Sequence, residues 1–211
     1  MQLYFAPLAC SMATRIALYE TGADAQYIER DRNKRLPDGS DFTTINPLGM
    51  VPTLRTDAGE LITENAAILQ YVAERAPQAG LAPASGIARA RLHQWLSFIG
   101  TELHKAVYLP LLRKEAPAEV KAYAASLADA RFAIVEKHLA AREFLLDTFS
   151  IADAYLFTVL NWTAATPLKL DAYPAIQAYV ARLSTRPSIA KALGEELAMY
   201  KAEIAKQKAA A

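Results

Sequence analysis

The chain holds one cysteine in 211 residues, Cys10. A single cysteine excludes an intrachain disulfide, and a free thiol fits a reducing compartment better than an oxidising one. Long apolar runs are also missing. Stretches such as AYLFTVL fall far short of the ~20 helical residues that cross a bilayer. Neither sign of charge dominates: 23 Lys and Arg against 22 Asp and Glu leave a formal net charge of +1. No global field therefore draws the chain to nucleic acid, anionic membranes or acidic substrates, and no basic run does so locally. MQLYFAPLAC has no basic leader ahead of its apolar residues, so no signal peptide and a cytoplasmic location are expected. His93, His104 and His138 lack partners at metal-ligand spacing, and no metal is expected. GxGxxG and the P-loop are absent, which leaves nucleotide binding without support, and no aromatic-basic RNA motif is present.

What is present falls into two halves. The hydrophobic share, 53%, suffices for a sizeable core. Residues 1–76 mix strand and helix signals. QLYFA reads as a short buried strand. In CSMATRIALYETG, Ala13, Ile16, Ala17 and Glu20 recur at helical spacing, and Gly22 is a plausible stop. AQYIERD reads as a second strand and RNKRLPDGSDF as a loop. VPTLRTDAGELIT predicts two strands joined at DAG. ENAAILQYVAERAP predicts a helix with Ile68, Tyr71 and Val72 on one face. The order is βαβ, then ββα. Residues 77–86, with two prolines and two glycines, read as a linker. Residues 87–211 read as helices throughout. Leu92, Trp95, Leu96, Ile99 and Leu103 form one stripe, AEVKAYAASLADARFAIVEKHLA repeats the pattern, and SIADAYLFTVLNWTAA is apolar enough to be central. The terminal KQKAAA is expected to fray. The fold class is an α/β domain followed by an all-α domain.

Five segments can carry chemistry, and each has a plainer structural reading. Cys10 lies at a strand-to-helix turn. There the unpaired N–H groups of a helix start favour a thiolate, although a free cysteine is often only a small core residue. Ser11 can cap that helix or hydrogen-bond a sulfur. In INPLGMVPTL, Pro52 fits a cis-proline turn that leaves neighbouring backbone for an extended peptide, or an ordinary edge-strand proline. Glu64 and Asn65 stand at a helix start, where they cap the helix or meet the two charged ends of an amino-acid moiety. Ser97, Thr101 and His104, at offsets of four and three, share a helical face opposite the apolar stripe. That face is solvated surface, or the polar wall of an interdomain cleft with His104 in it. Ser150 and Asp153 have capping-box spacing, which makes Asp153 structural.

Taken together, LYFAPLACS, INPLGMVPTL, TENAAILQYVAE, WLSFIGTELHK and FSIADAYLFTVLNW resemble a bacterial glutathione transferase of the Beta class. The resemblance runs from about residue 2 to 190. It implies a thioredoxin-like first domain, a helical second domain, a homodimer, and glutathione as co-substrate with no tightly bound cofactor. It places Cys10 against the glutathione sulfur, with Ser11 and His104 as further catalytic groups. Met50, Val51 and Pro52 then meet the cysteinyl part of the peptide. Glu64 and Asn65 hold its γ-glutamyl end and Lys34 its glycyl carboxylate. Ser97, Thr101, Glu102 and His104 complete the contacts from the helical domain. Three positions depart from the class pattern: Asn65 where a small residue is usual, Ser97 where asparagine is common, and Arg15 where histidine is frequent.

The implied activity is attack of a glutathione thiolate on a small hydrophobic electrophile, with thiol–disulfide exchange through a Cys10 mixed disulfide as a second route. Tyr108, Leu111, Leu112 and Trp162 are the candidate lining for the electrophile. A glutathione-dependent isomerase or dehalogenase uses the same thiol, and a non-catalytic binder of apolar ligands keeps the same fold. No partner among nucleic acids or membranes is expected.

Overall fold

The structure is a computed structural model that describes residues 1–209. Two units are distinguished. The first comprises residues 1–79 and the chain from Pro187 on, and the second is Gly80–Arg186.

The first unit is built on a four-stranded sheet in the order β2-β1-β3-β4. Strand β1, Gln2–Phe5, pairs in parallel with β2, Gln26–Glu29, setting Leu3 opposite Tyr27. On its other side β1 pairs antiparallel with β3, Thr53–Arg55, which continues through a turn at residues 56–60 into β4, Leu61–Thr63. The predicted βαβ-ββα order holds. Leu3, Tyr4 and Phe5 are all buried because both faces of the sheet are covered. Tyr4 packs with Phe42 and Val51, its ring 5.5 Å from that of Phe42.

Helix α1, Ser11–Thr21, buries Met12, Ala13, Ile16, Ala17 and Leu18. Each fully buried large side chain among them contributes roughly 1.5–3 kcal/mol. The helix stops at Gly22, whose left-handed φ of 64° lets its N–H return to the last carbonyls. Helix α2, Asn65–Arg75, buries Ile68, Leu69 and Val72 and packs against α1.

Residues 87–211 do not all belong with the helical unit. The last helix of the chain, Pro187–Ala209, packs on α1 and joins the sheet unit. Ile189 and Ala192 are fully buried on it, and Glu195 and Glu196 meet Arg15 of α1. A pairing across 180 residues leaves no periodic trace in the local sequence. The expected fraying of KQKAAA falls partly on residues 210–211, which lie outside the described residues; the helix itself runs to Ala209.

In the second unit, helix α3, Gly86–Phe98, continues without a break into a π-helical segment, Ile99–Tyr108, and then into the short α4, Leu109–Leu112. The Leu109 N–H reaches back five residues to the His104 carbonyl. Pro110 has no N–H to close an ordinary turn there, and wider winding upstream accommodates it. The predicted stripe Leu92, Trp95, Leu96, Ile99 and Leu103 is buried along its length. AEVKAYAASLADARFAIVEKHLA divides at Leu127 into α5, Ala118–Ser126, and α6, Ala128–Leu139.

Helix α7, Ile151–Asn161, is buried at every position from Ile151 to Leu160. Its start is fixed by the predicted capping box of Ser150 and Asp153. One Asp153 oxygen takes the Ser150 N–H at 2.9 Å, and the other takes the Leu145 N–H and the Tyr179 hydroxyl, each at 2.9 Å. Helix α8, Pro174–Ser184, supplies Tyr179, and α9 is the Pro187–Ala209 helix of the sheet unit. Among the described residues no helix is long and apolar enough to cross a membrane.

Candidate active site

After Phe5 the chain leaves the sheet through a tight loop. Ala9 N–H bonds the Ala6 carbonyl, and Leu8 adopts a left-handed φ of 60°. Cys10 follows at the N-cap position of α1, in helical conformation and half-buried. Its thiol donates to the Val51 carbonyl at 3.0 Å, and the Val51–Pro52 peptide bond is cis, the first of the two readings of Pro52. A carbonyl can only accept, so this contact belongs to the thiol form and is given up when the proton leaves. The Met12 and Ala13 N–H groups of that helix start turn back to the Ala9 and Cys10 carbonyls, and the positive end of the helix dipole lies at the thiol.

Ser11 does not sit as expected. Its side chain is fully buried and lies 3.3 Å from both the N–H and the carbonyl of Ala6. It braces the loop rather than capping the helix, and its hydroxyl turns inward.

Asn65 also departs from the capping reading. Its amide donates to the Cys10 carbonyl at 2.9 Å and accepts from the Thr14 hydroxyl at 3.0 Å. The extra length of asparagine thus ties the start of α2 to the start of α1. Glu64 makes no side-chain cap bond either. It is exposed, with a φ of 65°, a conformation an L-residue holds at roughly 1–3 kcal/mol. That turn sets the exposed Glu64 carboxylate beside the N–H end of α2.

The 46–52 loop is organised by Asn46, which sequence reasoning passed over. Its amide donates to the Met50 carbonyl at 2.9 Å and to the Thr53 hydroxyl at 3.0 Å. Lys34 runs directly over Gly49: a Cβ built there would lie 2.6 Å from Lys34 Cδ and 2.8 Å from Nζ. Lys34 therefore reaches the same loop as Met50, Val51 and Pro52. The first unit brings together Cys10, Ser11, Lys34, Asn46, Val51, Pro52, Glu64 and Asn65 at one end of its sheet.

The helical unit places its candidates differently. Ser97 and Thr101 are exposed, with the Thr101 hydroxyl on the Ser97 carbonyl at 3.0 Å. His104 is not on their face. It is 6% exposed, its Nδ1 lies 2.7 Å from the Tyr155 hydroxyl, and its ring meets Trp162 edge-on at 4.9 Å. The π-helical winding turns each residue through a smaller angle than an α-helix does. His104 is thereby carried off the Thr101 line toward the buried side. Burial, with Lys105 adding repulsion, lowers its pKa to about 4, so the imidazole is neutral at pH 7. Glu102 is engaged by Arg131, with Nη2 at 2.8 Å and Nε at 3.2 Å. Tyr108 is fully buried with its hydroxyl 2.6 Å from that of Thr163, and Trp162 packs on its ring.

A small mixed sheet carrying a cysteine at the start of its first helix, with a cis-proline turn facing that thiol, is a thioredoxin-like domain, here accompanied by an all-helical unit. Residues 1–74 match the glutathione S-transferase N-terminal domain and residues 98–187 the corresponding C-terminal domain, and the chain belongs to the glutathione S-transferase family. It is 40% identical over 199 residues to the glutathione S-transferase GstA of Escherichia coli O157:H7, spanning 93% of this chain and 98% of the relative. A sphingomonad glutathione S-transferase solved in complex with glutathione is 44% identical, with a TM-score of 0.88 over 93% of this chain and 98% of its own. The beta class glutathione S-transferase of Sphingomonas chungbukensis is 41% identical, with a TM-score of 0.89 over 93% and 98%.

Proposed function

We propose that this transferase binds glutathione as an extended peptide along the Val51–Pro52 edge, with its sulfur at Cys10, and that Cys10 can bond to it covalently. One observation carries the reading: the Cys10 thiol lies 3.0 Å from the carbonyl next to the cis-proline, so the thiol and a peptide-pairing edge share one place. The remaining groups fit the peptide's charges. The exposed Glu64 carboxylate and the N–H end of α2 suit the ammonium and carboxylate of the γ-glutamyl end, and Lys34 suits the glycyl carboxylate.

In conjugation, the bound glutathione thiolate attacks an electrophilic carbon and the leaving group departs with its electron pair. The α1 helix end stabilises the thiolate before attack. In the second route, the Cys10 thiolate attacks oxidised glutathione. A Cys10–glutathione disulfide forms and reduced glutathione leaves. The electrophile is a small apolar molecule, as the family resemblance implies. The homodimer that the family resemblance implies completes the reading. Its mass in analytical ultracentrifugation checks that assignment.

The test is direct. Incubation with oxidised glutathione should add one glutathionyl mass to the wild type and none to Cys10→Ala. Conjugation of a chloronitrobenzene electrophile should be measured alongside. Absence of the adduct, with both proteins equally active in conjugation, would remove the covalent role of Cys10.

A further inference from the structure

We infer that Arg15 is a positioning residue for Cys10, acting through the Glu196 carboxylate and the backbone amide of Leu8. The chain of contacts lies wholly in the sheet unit. Leu8, two residues before Cys10, holds its φ of 60° with its N–H on Glu196 Oε2 at 2.7 Å. A non-glycine residue stays in that conformation only where its surroundings fix it. Glu196 of α9 is fully buried, and its other oxygen lies 2.9 Å from Arg15 Nε. Arg15, 2% exposed, lies between the rings of Phe5 and Tyr27, at 4.2 and 4.4 Å from their centroids. Its Nη1 is 3.0 Å from Glu195, which also receives the Tyr19 hydroxyl.

A buried carboxylate without a counter-charge takes up a proton, and a neutral carboxyl accepts an N–H bond about half as strongly as a carboxylate does. Arg15 is therefore the group that favours the ionised Glu196 that grips Leu8. The groups facing Glu196 divide by sign. Burial pushes its pKa up to about 7, with Glu195 of α9 and Glu29 of β2 adding to the rise, while Arg15 of α1 and the Leu8 amide pull it down. Tyr19 and Tyr27 stay neutral, since burial raises both of their pKa values. The grip on Leu8 is accordingly strong above pH 7 and weak below it.

This inference rests on Cys10 being the working thiol, so the readout avoids glutathione. Cys10 is the only cysteine, and its alkylation by iodoacetamide can be followed from pH 5.5 to 9 in the wild type, Arg15→Met, Arg15→Lys and Glu196→Gln, with circular dichroism as a check on folding. The wild type should show an inflection near pH 7 in addition to the titration of the thiol itself. Glu196→Gln should abolish that inflection. Arg15→Met should raise it by about one unit, as loss of an adjacent opposite charge does, and Arg15→Lys should restore it in part. Folded variants with the wild-type profile, or with rates changed equally at every pH, would overturn the assignment. If Arg15→Met does not fold, the near-isosteric Glu196→Gln decides alone: an inflection retained there is a refutation. A wild type with the inflection but no glutathionyl adduct would refute the proposed covalent route and leave this inference standing.

Discussion

The Cys10 thiol donates to the Val51 carbonyl at 3.0 Å, which joins the start of α1 to the cis-proline turn. A serine at position 10 can make the same donation, and an alanine cannot. Cys10→Ser should therefore lose the glutathionyl adduct yet keep the loop, while Cys10→Ala leaves the Val51 oxygen without this donor at a cost of about 1 kcal/mol. Urea denaturation of the two variants measures the difference. Equal stabilities would show that the thiol–carbonyl contact contributes nothing to the fold.

Gly49 carries a second test. Its φ is 60° and Lys34 occupies the space where a side chain would begin. Gly49→Ala must displace Lys34 and strain the backbone, at about 1 kcal/mol of stability. If Lys34 binds the glycyl carboxylate, Gly49→Ala and Lys34→Ala should each weaken glutathione binding about threefold, the worth of an exposed ion pair. Calorimetric titration with glutathione checks this, and unchanged affinity in both variants would exclude Lys34 from the site.

These two relationships show what the sequence makes legible. Cys10, Pro52 and the capping box of Ser150 and Asp153 are local signals, readable from residue type and spacing: Cys10 and the box lie where they are expected, and of the two readings of Pro52 the structure has the cis turn. Asn65 and Ser11 were readable as residues near the site but not in their roles. Their partners, the carbonyl of Cys10 and the backbone of Ala6, depend on how two helices and a loop meet. α-Helical spacing puts His104 on the face of Thr101, and the segment winds as a π-helix instead. Arg15 stands out in the sequence as a departure from the class pattern, but its pairing with Glu196 does not, since a buried ion pair between residues 15 and 196 has no signature in either local segment.

Glu64 should show a trade between stability and binding. Its positive φ is natural for glycine and strained for glutamate. Glu64→Gly should stabilise the protein by about 1 kcal/mol through relief of that strain. It should also weaken glutathione binding, because the carboxylate facing the γ-glutamyl ammonium is gone. Glu64→Gln separates the two effects: binding falls while stability stays near the wild type. A Glu64→Gly variant that is less stable than wild type would mean that the carboxylate, not the ligand, justifies the strained turn.

The pH dependence of stability combines two opposed titrations. His104 falls from 6.5 to about 4 in the fold, so between these values the unfolded chain binds a proton that the folded chain does not. Its contribution is present above pH 6.5 and is lost as pH falls, by about 3 kcal/mol in all. Glu196 rises from 4.5 to about 7, so there the folded chain holds the extra proton. Its contribution is present below pH 4.5 and is lost as pH rises, again by about 3 kcal/mol. Across pH 4.5–6.5 the two slopes offset each other in the wild type. His104→Gln removes the rising slope, so its stability relative to wild type should fall steadily as pH goes from 4.5 to 6.5. Glu196→Gln removes the falling slope and should show the reverse. Both tryptophans, Trp95 and Trp162, lie in the helical unit, so their fluorescence follows the His104 variant through urea unfolding, and circular dichroism follows the Glu196 variant. Parallel pH profiles for wild type and both variants would mean that neither buried group titrates as its surroundings dictate.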